Sequence, residues 1–468
     1  MSLKASLDTI RCLRQRNALG HCVFVRACSC HVASFGEFPL LRMTRSVVGG
    51  VRRFAGVTHR GSQRGEAPLR FFYPPRLGDQ GGVTQGIIEN SVEDPQRGVK
   101  DAQMKPRILD LSHSQLVELI GTLGEPQYRA DQILKWIYGG TARSFDDMTD
   151  LPQAFRQKLG EACHVFTLEL VDERLSRDER TQKVLFQLED GKTIESAYML
   201  YEPTETSRER RTVCVSTQVG CSIRCPFCAT GQQGFERNLT AGEIVEQVLY
   251  FVWRAQNGGQ RGATGPSPAR RALTNVVFMG MGEPLANYDA VKSAITKLNS
   301  KRGLGLGARQ ITVSTVGQVP QIGRLAKEDV HVELAVSLHA ASDRVRNVLV
   351  PVNRRYPLGK LILACQEYLQ ATGRRPTFEY ALFNGINDSL DQAQKLTELL
   401  VGFECHVNLI VGNPTASKEF RPSVARRVAA FQKELTEGGV SNTLRQSRGA
   451  DIEAGCGQLR SRRLAPRS

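Results

Sequence analysis

Residues 221–228 read CSIRCPFC and place three thiols on one short stretch, separated by four and three positions. A structural zinc centre is normally closed by four nitrogen or sulfur ligands, and a ferredoxin-type cluster by four thiolates. Three thiolates can instead hold three irons of a four-iron cluster and leave the fourth iron open to a small molecule. The spacing therefore predicts Cys221, Cys225 and Cys228 as ligands of a metal centre with an open position. The alternative is three cysteines packed as small hydrophobes or belonging to a zinc knuckle.

The same stretch has an aromatic residue, Phe227, directly before its last cysteine. This C-x3-C-x2-C spacing resembles the signature of the radical S-adenosylmethionine (SAM) enzymes. The resemblance implies a [4Fe-4S] cluster on the three cysteines, with SAM bound to the open iron through its amino and carboxylate groups.

Length and composition fit an enzyme with one large or two moderate cores, because 41% of the 468 residues are hydrophobic. Twelve cysteines are too sparse for a disulfide scaffold, so the cysteine cluster indicates a reducing compartment. No stretch approaches the roughly 18 apolar residues of a membrane span, and no membrane partner is expected. The formal charge of +15 suggests a polyanionic partner.

Much of this positive charge is concentrated at the N terminus. Residues 1–70 contain one lysine and eleven arginines against three acidic residues. Such an arginine-rich, acid-poor segment resembles an organelle transit peptide, which predicts a chloroplast or mitochondrial location. A disordered basic tail on a cytoplasmic protein is the alternative. The residues that follow are rich in glycine and proline, so 1–105 is assigned to a transit peptide and linker.

Three folded regions follow the linker. Residues 106–165 carry apolar side chains every three to four positions, which predicts a small helical domain. Residues 166–205 change to a period of two, which indicates a short β segment. In residues 206–460, helical stretches such as 241–253 alternate with short apolar runs, as in a parallel sheet. The runs are 275–279, 310–314, 332–338, 377–381 and 405–410. The predicted fold is therefore α/β, a partial (β/α)6 radical SAM barrel with a small N-terminal helical domain and a short β segment.

Several basic features of the sequence fit contact with RNA but fit other roles as well. The amphipathic stretch 128–138 carries Arg129, Lys135 and Trp136, which either pack the helical domain or face RNA. The glycine- and proline-rich segment 256–271 indicates a surface loop, whose arginines are either solvated or close to a phosphate backbone. Basic residues elsewhere that could contact phosphates are Arg208, Arg210, Arg211, Arg354, Arg355, Arg374 and Arg375.

Glycine and polar residues recur at the carboxyl ends of the predicted strands, where barrels of this kind place their sites. Residues 280–284 read GMGEP; the glycines would let the backbone approach a ligand closely, and Glu283 could accept a hydrogen bond from a cationic amine. Ser314 ends the next strand, and the Ser-Leu-His sequence 337–339 ends the one after. This recurrence favours a binding site over isolated buried polar residues.

Four further stretches indicate one particular family among the radical SAM enzymes. Residues 214–221 read CVSTQVGC, 229–235 read ATGQQGF, 350–353 read VPVN and 448–459 read RGADIEAGCGQL. Together they resemble the RlmN family, whose members methylate C2 of adenine in large-subunit ribosomal RNA (rRNA) and in transfer RNA (tRNA). The resemblance extends from about Leu109 to Leu459 and leaves out the N-terminal extension.

The resemblance implies a role for each matching residue. The positions that hold SAM in the family are matched by Gly282, Glu283, Ser314, Ser337, Leu338, His339 and Asn413. Cys456 matches the cysteine that becomes methylated, Cys214 matches its resolving partner, and Glu195 matches the proposed proton acceptor. The chain departs from the family pattern at residues 411–412, directly before Asn413. Cys163, Cys365 and Cys405 match no such position and are predicted to be core residues.

The family scheme explains why two cysteines far from the cluster matter. One SAM methylates the Cys456 thiolate, and a second supplies a 5′-deoxyadenosyl radical that removes hydrogen from the new methyl group. The resulting carbon radical adds to adenine C2, which has no acidic C–H for a polar reaction. Attack of Cys214 on the Cys456 sulfur then forms a disulfide and releases the methylated base.

This scheme implies several partners. It requires two SAM molecules per turnover and an electron donor such as a reductase, a ferredoxin or a flavodoxin. The substrate is rRNA, tRNA or both, with the target adenine drawn out of its stack. A monomer is expected. The alternative functions are a related radical methylation, such as one at adenine C8, and a non-catalytic ribosome-binding protein.

Overall fold

The computed structural model describes residues 105–205, 208–257, 272–412, 419–445, 449–452, 455 and 458–464. The predicted transit peptide and linker, apart from Lys105, lie outside the described residues. The same holds for two predicted site residues, Asn413 and Cys456, and for most of the predicted loop 256–271.

A ten-stranded sheet and a two-stranded sheet form the β structure. The strands are β1 (Glu169–Leu175), β2 (Thr181–Gln187), β3 (Thr193–Tyr201), β4 (Arg210–Cys214), β5 (Gln218–Gly220), β6 (Phe235–Asn238), β7 (Asn275–Phe278), β8 (Ile311–Thr315), β9 (Glu333–Ser337), β10 (Thr377–Leu382), β11 (His406–Val411) and β12 (Asn442–Arg445). The large sheet has the order β1-β2-β3-β4-β7-β8-β9-β10-β11-β12, and β5 pairs with β6.

Helices follow most strands of the large sheet. They are α1 (His113–Thr122), α2 (Arg129–Gly139), α3 (Gln153–Ala162), α4 (Ala229–Gln232), α5 (Ala241–Asn257), α6 (Tyr288–Asn299), α7 (Val319–Leu325), α8 (Asp343–Leu349), α9 (Leu358–Thr372), α10 (Leu390–Leu400), α11 (Ala425–Glu437) and α12 (Gln458–Leu464). None of the helices within the described ranges combines the length and the apolar character needed to cross a bilayer.

The partial barrel expected from the sequence is confirmed. From β4 through β7 to β12 all neighbouring strands of the large sheet are parallel. Each of the five predicted apolar runs overlaps one of the strands β7 to β11. The additional parallel strand β12 was not predicted, because its sequence, Asn-Thr-Leu-Arg, is short and mostly polar.

The predicted β segment is present, and it continues the barrel sheet. Strands β1, β2 and β3 are antiparallel to one another, and β3 pairs antiparallel with β4. In that pairing Ala197 lies opposite Cys214, so the region around Glu195 in β3 is held beside the end of β4. Every residue of β2 except the last is buried, and the ring of Phe186 meets Tyr250 of α5 edge to face at 4.9 Å.

The N-terminal helices pack against the barrel core through apolar residues. Helix α1 begins after Ser112, whose side chain accepts from the backbone amide of Gln115 in a capping box. In α2, the indole of Trp136 donates to Asp150 at 2.5 Å and Arg129 donates to Gln132 at 2.8 Å. These contacts favour the packing interpretation of α2.

Helix α5 is longer than predicted. It extends to Asn257, so residues 256 and 257, assigned from the sequence to the loop 256–271, are helical. The reason is a long-range contact, because the side-chain amide of Gln256 donates to the carbonyl of Gly139 at the end of α2 at 2.8 Å. Glu246 of α5 also accepts from the backbone of Thr167 and Leu168 at 2.7 and 2.6 Å. The helix thereby ties the N-terminal region to the barrel.

Candidate active site

The cysteine stretch 221–228 forms the loop between β5 and α4, and two glycines close its base. Gly220 has φ +76°, and a Cβ there would lie 1.9 Å from the carbonyl oxygen of Gly234. The amide of Cys221 donates to the same carbonyl at 2.7 Å. Only glycine fits at position 220, and the β5–β6 hairpin thus fixes where the loop begins.

The loop packs on the carboxyl ends of the parallel strands. Cys225 is buried in an apolar cluster with residues from the ends of β9 and β10. The ring of Phe227, the aromatic residue noted in the sequence motif, lies 5.1 Å from His339 and 5.2 Å from Phe383. The structure therefore brings the three cysteines to the sheet edge where the strand-end motifs are found.

Burial makes ionisation of these thiols unfavourable when no cation is present. It raises the pKa of Cys221 to about 12 and raises that of Cys225 well above the usual value, and neighbouring thiols and Glu283 add to both shifts. A bound metal reverses this balance, because its charge stabilises the thiolate. The loop is thus suited to thiols that carry a metal centre.

The donor set fits an iron–sulfur cluster better than a single ion. Within the described ranges, no three His, Cys, Asp or Glu side chains converge as ligands of one metal ion. In a four-iron cluster each thiolate binds its own iron, so its sulfurs need not converge on one point. Three soft thiols on one loop fit that arrangement. Cys221, Cys225 and Cys228 would hold such a cluster.

The glycines of the GMGEP motif have a packing role that the sequence did not indicate. A Cβ at Gly280 would lie 2.6 Å from the carbonyl oxygen of Val215, and one at Gly282 would lie 2.6 Å from the Cβ of Gln218. Gly282 also has φ +104°. The glycines therefore let the β7 turn pack directly on the connection between β4 and β5. The sequence argument, which expected room for a ligand, missed this contact.

Glu283 is buried and its carboxylate orders two turns. One oxygen accepts from the amide of Leu285 at 3.1 Å and the other from Val316, directly after β8, at 2.9 Å. Burial raises the pKa of Glu283 to about 7, although Thr315 and these amides oppose the shift. Thr315 and the two amides occupy three of the roughly four lone-pair positions of the carboxylate, which leaves one for the predicted bond to a cationic amine.

The other strand-end residues lie where the sequence placed them. Ser314 is the next-to-last residue of β8, and Ser337 is the last of β9. The amides of Leu338 and His339 both donate to the carbonyl of Glu379, at 3.0 and 3.3 Å. This fixes the turn at the end of β9 against β10.

His339 is held as a neutral ring. Its Nδ1 accepts from the amide of Ala381 at 3.0 Å, and burial lowers its pKa to about 3. The hydrogen of the neutral imidazole is therefore on Nε2. The residue has φ +57°, and the side chain of Asn387 donates to its carbonyl at 2.8 Å. His339 can offer one hydrogen bond to a ligand and carries no charge at neutral pH.

Cys214 and Glu195 lie on neighbouring strands. Cys214 ends β4 as a free thiol, and burial raises its pKa to about 12. The hydroxyl of Ser196 in β3 donates to the Cys214 carbonyl at 2.7 Å. Glu195 is buried in β3 and forms an ion pair with Lys183 of β2, with Nζ and Oε2 2.8 Å apart. Lys183 is equally buried and was not recognised from the sequence.

The Lys183–Glu195 pair also binds the C-terminal segment. Lys183 donates to the carbonyl of Gly455 at 2.7 Å, and the second Glu195 oxygen accepts from the amide of Arg460 at 2.5 Å. These two positions flank residues 456–459. The pair thus holds the backbone on both sides of the segment that contains Cys456, although Cys456 itself lies outside the described residues.

Arg460 connects this segment with the cysteine loop. Its buried guanidinium donates to Gln233 at 2.9 Å and forms an ion pair with Glu236 of β6. Gln233 in turn donates to the hydroxyl of Ser461 at 2.6 Å. Helix α12 is therefore attached both to β3 and to the β5–β6 hairpin. Arg460 was also missed, since its partners are distant in the sequence.

The three cysteines assigned to the core are buried as predicted: Cys163, Cys365 and Cys405. A cavity of about 410 Å³ lies elsewhere, between the N-terminal helices and α6, and is lined by Leu116, Leu134 and Lys297 among others. It contains none of the predicted site residues.

Two family models match the chain. The model described as the ribosomal RNA large subunit methyltransferase N-terminal domain matches residues 107–165. The model of the radical SAM superfamily matches residues 215–397, which include the cysteine loop and the strand ends of β7 to β9.

Similar proteins cover most of the chain. A probable dual-specificity RNA methyltransferase RlmN from Thermotoga maritima is 44% identical over 77% of this chain and 99% of its own length. The dual-specificity RNA methyltransferase RlmN from Alcanivorax borkumensis is 42% identical over 76% of this chain and 91% of its own length. The crystal structure of a radical SAM methyltransferase from Sphaerobacter thermophilus superposes with a TM-score of 0.71 at 46% identity, covering 76% of this chain and 99% of that one.

The contacts of Lys183 lead to a stability prediction. Lys183→Met removes the ammonium from a buried carboxylate, and we expect the free energy of unfolding to fall by about 3–5 kcal/mol. Urea unfolding of the cofactor-free protein measures this loss. Amide exchange in 458–464 should also become faster, because the segment loses its attachment to β2.

Lys192→Met is the matched control. Lys192 pairs with Glu236 at 2.5 Å, but both side chains are about one-third exposed, so the expected loss is at most about 1 kcal/mol. Equal losses in the two variants would show that the buried pair has no special role.

Proposed function

The chain belongs to the RlmN family of dual-specificity RNA methyltransferases, and we propose that it methylates C2 of an adenine in large-subunit rRNA and in tRNA by radical SAM chemistry. The observation that carries the proposal is the position of the cysteine loop. Three thiols of one loop lie at the carboxyl edge of a parallel sheet, beside the strand ends of β9 and β10. A closed structural metal site would need a fourth ligand.

The cofactors follow from the same residues. We assign the [4Fe-4S] cluster to Cys221, Cys225 and Cys228. The proposed SAM-binding residues are Gly282, Glu283, Ser314, Ser337, Leu338, His339 and Asn413. When bound, cluster and SAM supply the one-electron chemistry that an unreactive C–H carbon such as adenine C2 requires. The chain's contribution is to keep this edge of the sheet buried and its polar groups fixed. An external donor of the reductase, ferredoxin or flavodoxin type would deliver the electron.

Two cysteines have different roles in the methyl transfer. Cys456 carries the methyl carbon as a thioether and becomes bonded through that carbon to adenine C2. The C2 proton is then lost to Glu195, and the unpaired electron of the adduct would pass back to the cluster. The Cys214 thiolate then attacks the Cys456 sulfur. A disulfide forms while the carbon–sulfur bond breaks, and the bonding electrons leave with the methylated base, which takes up a proton. The attachment of Gly455 and Arg460 to the Lys183–Glu195 pair supports a meeting of the two cysteines near β3.

The cluster assignment predicts a loss of iron. Cys225→Ala removes one of three protein ligands, and we expect anaerobic reconstitution to yield no four-iron cluster and no SAM cleavage. Iron content and the brown charge-transfer absorbance measure the result. Cys365→Ala is the control, because Cys365 is equally a buried thiol but lies in the hydrophobic core. Near-normal iron in Cys225→Ala contradicts the assignment.

The two-cysteine assignment predicts a trapped intermediate. In Cys214→Ala the methyl carbon can still add to the base, but no thiolate can break the bond to Cys456. The protein should therefore accumulate covalently attached to RNA after anaerobic incubation with SAM, reductant and RNA. A denaturing gel should show a shifted band that disappears on nuclease treatment.

Two comparisons make this experiment decisive. Cys456→Ala and the double variant should give no band, because the methyl carrier is missing. Mass spectrometry of nucleosides from wild-type reactions should find 2-methyladenosine. A product methylated at C8 would reject the proposed regiochemistry, and normal turnover of Cys214→Ala would reject the resolving role.

The N-terminal extension supports a proposed organelle location. Its arginine-rich, acid-poor composition is typical of transit peptides. A tagged chain that begins at Lys105 should stay in the cytosol, whereas the full chain should enter a mitochondrion or chloroplast. Fluorescence microscopy and fractionation measure the difference. The same distribution for both chains would contradict the proposal.

A further inference from the structure

Arg346 of α8 is a fully buried cation whose hydrogen bonds all go to neutral acceptors. Its Nε donates to the carbonyl of Leu338 at 3.0 Å, and its Nη1 donates to the side chain of Asn353 at 2.9 Å. Its Nη2 donates to the carbonyls of Val316 and Ser337 at 2.6 and 3.0 Å. Among the described residues, no carboxylate comes within ion-pair distance of this guanidinium. An uncompensated buried charge is strongly unfavourable, so a compensating anion is expected nearby.

An amide separates Arg346 from Asp343, the carboxylate at the start of the same helix. The side chain of Asn353 accepts from Arg346 and donates to Asp343 at 2.9 Å, so it stands between the cation and that carboxylate. This bridge gives a structural reason for the asparagine of the VPVN motif. It also leaves the positive charge available to another anion.

Cys225 of the cysteine loop is buried in the same apolar cluster as Leu349 of α8, and Val316, whose carbonyl accepts from Arg346, packs against that cluster. The cysteine loop therefore lies beside Arg346. Among the groups that favour its charged form, the Cys225 thiol acts most strongly, ahead of Asp343 and Cys365. Burial lowers the pKa of Arg346 to about 10, which leaves it a cation at neutral pH.

We propose that Arg346 is the fixed counter-charge of the thiolate-bound cluster and a positioning residue for the ends of β8 and β9. The inference rests on the cluster assigned above. Thiolate-ligated iron–sulfur clusters gain a negative charge when they are reduced, and their potentials depend on nearby charge and burial. A buried cation beside Cys225 stabilises the reduced state, since little water is present to screen the interaction. Arg346 thus makes the electron transfer that starts the reaction more favourable.

The same guanidinium orders the proposed SAM-binding edge. It binds the backbone at Val316, directly after β8, and at Ser337 and Leu338, where β9 ends and directly before His339 with its φ of +57°. Five donors in a rigid plane suit four acceptors around one point, which a lysine ammonium cannot match. Substitution can therefore separate the two roles of Arg346: lysine keeps the charge but not the geometry, and glutamine removes the charge.

The test compares Arg346→Gln and Arg346→Lys with Arg344→Gln, which removes an exposed arginine from the same helix. Each protein is reconstituted anaerobically, and the cluster's midpoint potential is measured by EPR during a redox titration. We expect reduction of Arg346→Gln to be about tenfold less favourable, or about 59 mV more negative for one electron. Arg346→Lys and Arg344→Gln should stay close to wild type.

The outcomes are distinguishable. An unchanged potential in Arg346→Gln overturns the inference but leaves the proposed function standing. If Arg346→Gln holds no iron, the result for Arg346→Lys decides between the alternatives. Iron content and potential near wild type in Arg346→Lys support the counter-charge. Loss of iron in Arg346→Lys as well overturns it. A wild-type protein that takes up no four-iron cluster would instead overturn the proposed function itself.

Discussion

The buried ion pair between Lys183 and Glu195 is the interaction on which the arrangement of the site depends. It joins β2 to β3 and at the same time binds the backbone at Gly455 and Arg460. Strand β3 also pairs with β4, which ends at Cys214. Without this pair the C-terminal segment would keep its side-chain contacts with the β5–β6 hairpin and with Thr193 of β3, but its backbone would lose its contacts with β2 and β3. A buried pair adds little net stability in general, so its value here is better described as fixing position.

The sequence predicted the elements whose evidence is local. The strands β7 to β11 follow from apolar runs, and the N-terminal helices from apolar residues that recur every three to four positions. The cysteine loop was recognised because three closely spaced thiols in the sequence are enough to indicate ligands of a metal centre. Strand β12 was missed because its short and mostly polar sequence gives no local signal, and it forms through its pairing with β11.

The residues that sequence reasoning missed act over long distances. Lys183 contacts a carbonyl 272 positions further along the chain, and Arg346 joins the ends of two strands. For Arg346 nothing in the local sequence indicates burial. For Lys183 the available signal was its position directly before the apolar residues 184–186 of β2, where a buried charge must find a partner. The glycines of the GMGEP turn show the reverse case: the residues were recognised, but the close approach they permit is to Val215 and Gln218.

Lys183 and Arg346 fix the backbone near the site in the same way: each is a buried cation that binds backbone carbonyls. Every residue has a backbone carbonyl, so a turn can be anchored through its carbonyls while its side chains stay available to bind other groups. At Ser337 and Leu338 the anchoring takes the carbonyls and leaves the side chains out of the contact. At Gly455 it fixes the backbone directly before Cys456. Each cation would be costly to bury without an anion, which for Lys183 is Glu195. Each also favours the ionised form of a cysteine that the proposed chemistry uses as a thiolate, Cys214 for Lys183 and Cys225 for Arg346. The charge that fixes the backbone is therefore also the charge that favours the thiolate, which links the positions of the loops to their reactivity.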